Sequence, residues 1–359
     1  MNVFKDIHFK EITGEQLNKR ETKFYKFINE KKCHNDQKYE IGEIIDKREF
    51  DPNGEYSIGM YFTLFDNIFE FINYGCYFCE IEIPNDARCY IGKKQIRSDK
   101  FVIKTMTNIV DLKEWNDIDF CMKTIKQSNN ILKYIEKQTD DLCLEAVKHD
   151  GLALEYVKNQ TKEICLEAVE QDGLSLKFVK KQFVNEEIYL EAVKQNGHAL
   201  KFVRDSEQTE NMCLKAIKQN ENSFRYVKNQ TEKICLEAVK KNGFLIDFVI
   251  NQTEELCLEA IKQSGYSLKD VRRQTKNICL EAVKKNGLTL RNVKRQTEDI
   301  CLEAVKQNGE SFQYIEKHKQ TDEMWFEAEK QKKSSTRNLI KKKKNFKSKN
   351  FKYRNNSNH

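Results

Sequence analysis

The chain has 359 residues, 39% hydrophobic and 33% charged, with 63 Lys/Arg against 56 Asp/Glu and a formal net charge of +7. With 13 Gly and 2 Pro it is neither collagen-like nor a Pro/Gly-rich disordered chain, and no stretch approaches the ~18 continuous apolar residues of a membrane-spanning helix. The opening residues lack the apolar core of a signal peptide, so the 12 cysteines predict an intracellular, reducing setting with free thiols and no membrane association.

Residues 1–113 read as a small α+β domain that holds both prolines, Pro52 and Pro84. Apolar runs predict strands over Phe24–Ile28, Tyr39–Ile45, Gly59–Thr63, Tyr77–Ile83 and Lys100–Lys104. Leu64, Ile68, Phe71 and Ile72 stand at helical spacing and predict a helix over Leu64–Tyr74. Asp51-Pro52-Asn53-Gly54 predicts a turn. Four motifs carry a resemblance: G-x-Y-F-T at Gly59–Thr63, F-x-x-Y-G ending at Gly75, E-I-x-I-P at Glu80–Pro84 and D-K-x-V-I at Asp99–Ile103. On them this domain resembles an N-terminal module that giant viruses attach to ankyrin-type and other repeats. The resemblance brings no established activity.

Two chemical readings of this domain stay open. A G-x-Y-F strand, a helix and then Glu80-x-Glu82 follow the order of ADP-ribosyltransferases, with the repeats delivering targets. Phe24–Ile28, however, lacks the His-Gly or Arg by which that class holds NAD, and charged strand pairs are ordinary on a half-exposed sheet. Cys76-x-x-Cys79, with Cys33, His34 and Cys89 elsewhere, has ingredients of a zinc site, but it enters an apolar strand and lacks a second close pair. No catalytic residue, metal ligand or cofactor is assigned.

Residues 114–328 are repetitive. TEKICLEAVKKNGFLIDFVINQ at 231–252 is followed in register by TEELCLEAIKQSGYSLKDVRRQ at 253–274 and TKNICLEAVKKNGLTLRNVKRQ at 275–296. Cysteine marks the same position at 121, 143, 165, 213, 235, 257, 279 and 301, and Tyr189 and Trp325 take its place in two further units, giving ten. Each unit predicts a helix of about ten residues opened by an N-cap Thr (Thr161, Thr231, Thr253, Thr275, Thr297). Gly151, Gly173, Gly197, Gly243, Gly265, Gly287 and Gly309 predict left-handed C-caps, with Glu221 a misfit. The following segment keeps apolar residues three apart, as at Leu268/Val271 and Leu290/Val293, which predicts a short helix rather than a strand. Trp115 and Trp325 bracket the array and would seal its ends.

The consensus I-C-L-E-A-V-K-x-N-G-x-x-L-K-x-V resembles a short helical repeat of unknown function expanded in giant DNA viruses of amoebae. The resemblance implies an all-α solenoid and a viral origin, with the protein in the host cytoplasm or viral factory. It implies no mechanism. The repeat cysteines read as small buried hydrophobes. Lys194, Lys218, Lys240, Lys262, Lys284 and Lys306 form a row across successive units. It reads either as solvated i,i+3 ion pairs or as a ladder for an unidentified protein partner.

The tail, 329–359, reads as disordered and polybasic. Residues 330–359 hold 12 Lys/Arg and no Asp or Glu, leaving 51 basic against 56 acidic groups, net −5, in the rest. Lys341, Lys342, Lys343 and Lys344 resemble a nuclear-localisation cluster. With Lys347, Lys349, Lys352 and Arg354 they are candidates for non-specific nucleic-acid contact, and Phe346, Phe351 and Tyr353 are placed to stack on bases. The whole is a mixed chain: an α+β domain, a helical-repeat solenoid and a basic tail. It predicts a non-enzymatic binding scaffold.

Overall fold

The structure, a computed structural model, describes residues 10–331 apart from 21, 35–36 and 52–58. The turn predicted at Asp51–Gly54 and the whole set Lys341–Arg354 therefore lie outside, or mostly outside, the described residues. An N-terminal antiparallel sheet region over residues 10–116 is followed by a run of repeated helices. The chain divides after Glu191 into two compact units.

The sheet has eight strands in the order β1-β8-β9-β6-β2-β7-β10-β5. These are β1 (Lys10–Thr13), β2 (Phe24–Ile28), β5 (Gly42–Ile45), β6 (Met60–Leu64), β7 (Tyr77–Glu82), β8 (Arg88–Ile91), β9 (Ile96–Ser98) and β10 (Lys100–Asn108). A separate two-stranded ladder joins β3 (Cys33–His34) to β4 (Gln37–Lys38). The five predicted strands are present, with β5 shorter than expected and β10 longer. The predicted helix over Leu64–Tyr74 is corrected in kind. It is α-helical only over Phe65–Ile68 and 3₁₀ over Phe69–Tyr74.

One aromatic core joins Phe24, Phe62 and Phe101 edge to face, with centroids 5.4 and 6.2 Å apart. A second packs Phe27 and Phe78 against Phe69, which in turn meets Trp115 and Phe120 at 5.9 and 5.8 Å. Trp115 is buried, donates from its indole Nε1 to the Ile109 carbonyl at 2.6 Å, and stacks on Tyr134. It thus joins the sheet to the first repeat. Trp325 does not share the burial of the cysteines it replaces: it is 49% exposed, while Met324 beside it is buried.

Each repeat is a ten-residue α-helix, such as Glu254–Gln263, then a six-residue 3₁₀ turn, such as Gly265–Asp270. Thr139, Thr161, Thr209, Thr231, Thr253 and Thr275 accept the third backbone N–H of their helices, as an N-cap should. Thr297 does not; its hydroxyl goes to Asp299. The predicted helix–helix unit holds, with the second helix wound tighter. Leu268 and Val271, and their equivalents Leu290 and Val293, are buried three apart.

The predicted left-handed glycine cap is overturned. Among the described residues only Gly42 and Gly59 are glycines with positive φ. The helix instead ends at the residue before, Asn242 or Asn286, in extended conformation. That side chain accepts the backbone N–H two residues on and so starts the 3₁₀ turn. Glycine is needed for close approach. A Cβ on Gly151, Gly197, Gly243 or Gly287 would stand 2.3 to 2.5 Å from the carbonyl of Ala168, Ala216, Ala260 or Ala304 in the next repeat. Glu221 keeps the same backbone path, and there the following helix Glu232–Lys241 packs less closely on the turn than its counterparts do.

Candidate functional site

The repeats are tied together by a side chain that the sequence reading passes over. A glutamine precedes each N-cap Thr, and in a polar N-Q-T run it looks like loop. In the structure the Gln252 amide donates to the carbonyls of Ile246 at 2.8 Å and Asp270 at 3.1 Å, the latter in the next repeat. Its Oε1 accepts the Arg272 N–H at 2.8 Å. Gln138, Gln160, Gln208, Gln230, Gln274 and Gln296 bridge to the next repeat in the same way. These are the backbone groups left over when a 3₁₀ turn stops, and an unpaired one is costly. The repeat cysteines sit beneath this spine. Cys165 and Cys279 lie 3.5 and 3.7 Å from Gln160 and Gln274 Oε1. Burial pushes thiols such as Cys165 and Cys257 up to about 11, which makes them inert packing groups at neutral pH.

With the backbone satisfied inside, the charged side chains are left to the surface. Lys194, Lys218, Lys240, Lys262, Lys284 and Lys306 are all exposed near the ends of their helices. Lys262 and Lys284 are paired with Glu259 and Glu281 at 3.0 and 2.9 Å, three residues back. The bland reading of that row is thus visible at these two positions.

A different surface gathers more chemistry. Across four consecutive 3₁₀ turns, cations lie over aromatic rings and link each turn to the next: Arg225 over Phe248 at 4.4 Å, Lys269 over Phe244 at 5.6 Å, Arg291 over Tyr266 at 5.4 Å. Phe244 is 43% exposed, Phe248 37% and Ile250 61%. Residues 221–230, 243–252, 265–274 and 287–296 together carry eight Lys/Arg and three Asp/Glu (Glu221, Asp247 and Asp270). Sequence reading misses this face because the units differ: 243–252 holds no Lys or Arg, and Asp247 stands where its neighbours have Arg225, Lys269 and Arg291. Only stacking brings the exceptions together.

In the sheet region the candidate chemistry disperses. Glu80 and Glu82 on β7 pair with Lys23 and Lys104 at 3.0 and 2.8 Å. Cys79 and Cys89 are buried in separate strands, with burial raising Cys79 to about 12 and Cys89 to about 11. Among the described residues no three His, Cys, Asp or Glu side chains converge as a metal site would require. Among the described residues no helix is long and apolar enough to cross a membrane.

Residues 139–184, 161–208, 185–231, 253–294 and 275–337 match a domain of unknown function (DUF4116). That domain therefore occurs five times across 139–337. Successive matches such as 253–294 and 275–337 begin one repeat apart and overlap, and the first four each span about two of the helix–turn units. No solved structure matches the chain.

Proposed function

We propose that this protein is a non-enzymatic binding scaffold whose repeats hold a protein partner, and that the contact lies on the 3₁₀ turns over residues 221–296. The observation that supports it is the cation-over-ring face of Arg225, Lys269 and Arg291 around exposed Phe244, Phe248 and Ile250. A contiguous apolar patch rimmed by like charge suits an acidic protein segment with interspersed apolar residues. The rings give buried area and the cations give orientation and rate. Repeat arrays commonly bind through such extended faces. The lysine row from Lys194 to Lys306 is the weaker surface, since it lacks exposed rings and part of its charge is already spent on Glu259 and Glu281. The viral origin implied by the consensus would place that partner in host cytoplasm or a viral factory, with the basic tail acting on localisation or on nucleic acid.

The test is affinity capture with the full chain, before and after nuclease treatment. The triple variant Arg225→Glu, Lys269→Glu, Arg291→Glu is compared with Lys218→Glu, Lys240→Glu, Lys262→Glu. A partner lost only from the first variant, and kept after nuclease, supports the reading. Loss from the second variant alone would move the site to the lysine row, and loss on nuclease treatment would make the contact a nucleic-acid one.

A further inference from the structure

The turn face over residues 221–296 is built in rows. Arg225, Asp247, Lys269 and Arg291 stand fifth in four successive 3₁₀ turns, and Lys228, Ile250, Arg272 and Lys294 follow them three residues on. All eight are exposed. Three of the units thus present a pair of cations. The unit at Gly243 presents Asp247 and Ile250, with Phe244 and Phe248 exposed on the same turn.

Neutral groups hold several of these cations in place. The Arg272 guanidinium donates to the Ile250 and Asp247 carbonyls at 2.7 and 3.3 Å, and the Lys294 ammonium to the Arg272 and Val271 carbonyls at 3.0 and 3.4 Å. Arg225 and Arg291 lie over rings. Such contacts fix a side chain and leave its charge uncompensated, which favours an acidic ligand. Lys228 and Lys269 sit at the edge of ion-pair range of Asp205 and Asp270, at 3.8 and 3.9 Å. A nucleic-acid strand suits the rows less well. Charged at every nucleotide, it meets Asp247 and Ile250 midway, and the ring faces under Arg225, Lys269 and Arg291 are already taken.

Packed helices stand about 8–10 Å apart, so a ligand crossing the turns meets one unit roughly every 9 Å. A β-strand covers that distance in about three residues, but its side chains alternate faces and would turn every second anchor away. Polyproline II has about three residues per turn and rises ~3.1 Å per residue, so every third side chain returns to the same side after ~9 Å. On the scaffold reading, on which this rests, we infer that the partner segment is a polyproline II helix. It lays an acidic, an apolar, an acidic and an acidic residue, three apart, on the units at Arg225, Ile250, Lys269 and Arg291 in turn.

Fluorescence anisotropy with the full chain and labelled synthetic peptides tests this. The peptides carry Glu, Leu, Glu and Glu in both chain directions, with Pro and Ser between them, and hold these anchors two, three or four residues apart. The three-residue spacing should bind about tenfold more tightly than the others, the ratio that three exposed charge contacts supply together. Asp247→Lys with Ile250→Lys should reverse the preference at the second anchor, so that Glu binds better there than Leu, a gain that misfolding cannot produce. Equal affinity at the three spacings, or no binding at any, would overturn the inference, while affinity capture still decides the scaffold reading. Single-stranded DNA of equal charge binding more tightly than the three-spaced peptide would overturn both.

Discussion

Gly243 separates two physical accounts of one sequence signal. Glycine after a helix of ten residues fits a left-handed cap, where Asn substitutes with little loss, and equally fits a close backbone approach, where it does not. The Ala260 carbonyl 2.5 Å from a Cβ at Gly243 decides for the second. Gly243→Asn and Gly243→Ala should therefore both destabilise by about 2 kcal/mol, the order of an overpacked contact. Chemical denaturation of each variant checks it, and near-wild-type stability of the Asn variant would restore the cap. The period of the glycine is legible in the chain, but the reason for it sits in the next repeat. Gln252 is the stronger case. Its amide serves two carbonyls and its oxygen one N–H. Gln252→Leu should cost about 2 kcal/mol or more for the unpaired backbone groups. Gln252→Glu should fare no better, because it sets an acceptor against two carbonyls. A loss below half a kcal/mol in both variants would show that water replaces the amide at no cost.

Helix starts are written locally and were readable; turns and short strands are not. Thr161, Thr231, Thr253 and Thr275 accept the N–H that the sequence assigns to them, Thr139 and Thr209 do the same, and Thr297 departs because Asp299 competes for its hydroxyl. Thr253→Ala should accordingly lower stability by about 1 kcal/mol and Thr297→Ala by clearly less. Equal losses in urea titrations would assign the effect to helix propensity and not to the cap. The 3₁₀ turns were recognisable as helical from apolar residues three apart, which a 3₁₀ ladder and an α-helix share over six residues. Their tighter winding was not, since it follows from Asn or Asp capping the N–H two residues on. In the sheet, β1, β8 and β9 escaped. Arg88–Ile91 is buried at three of its four residues and so shows no alternation, and Lys10–Thr13 carries a single buried residue.

The same contacts recur from repeat to repeat: a glycine against the next alanine carbonyl, and a glutamine to the next turn. Within residues 192–331 stability should then behave as a sum of units and nearest-neighbour joints. Deleting 253–274, one whole period, joins Gln252 to Thr275. In the shortened chain the Gly243 turn meets Ala282 where it met Ala260, and Gln252 reaches Asn292 and Lys294, the groups that Gln274 holds in the full chain. Every joint keeps its chemistry, so this variant should fold cooperatively with unchanged helical ellipticity per residue and lose only one unit's share of stability. Deleting 254–264 instead removes half a period. It leaves Thr253 running straight into Gly265, so two 3₁₀ turns follow each other with no helix between them and the Gly243 turn has no alanine carbonyl to approach. That variant should lose cooperative unfolding in this region. Circular dichroism and urea titration of both deletions check the argument. Failure of the in-register deletion to fold would mean that the repeats are not interchangeable, and that the differences between them, such as Glu221 for glycine, fix each one's place in the array.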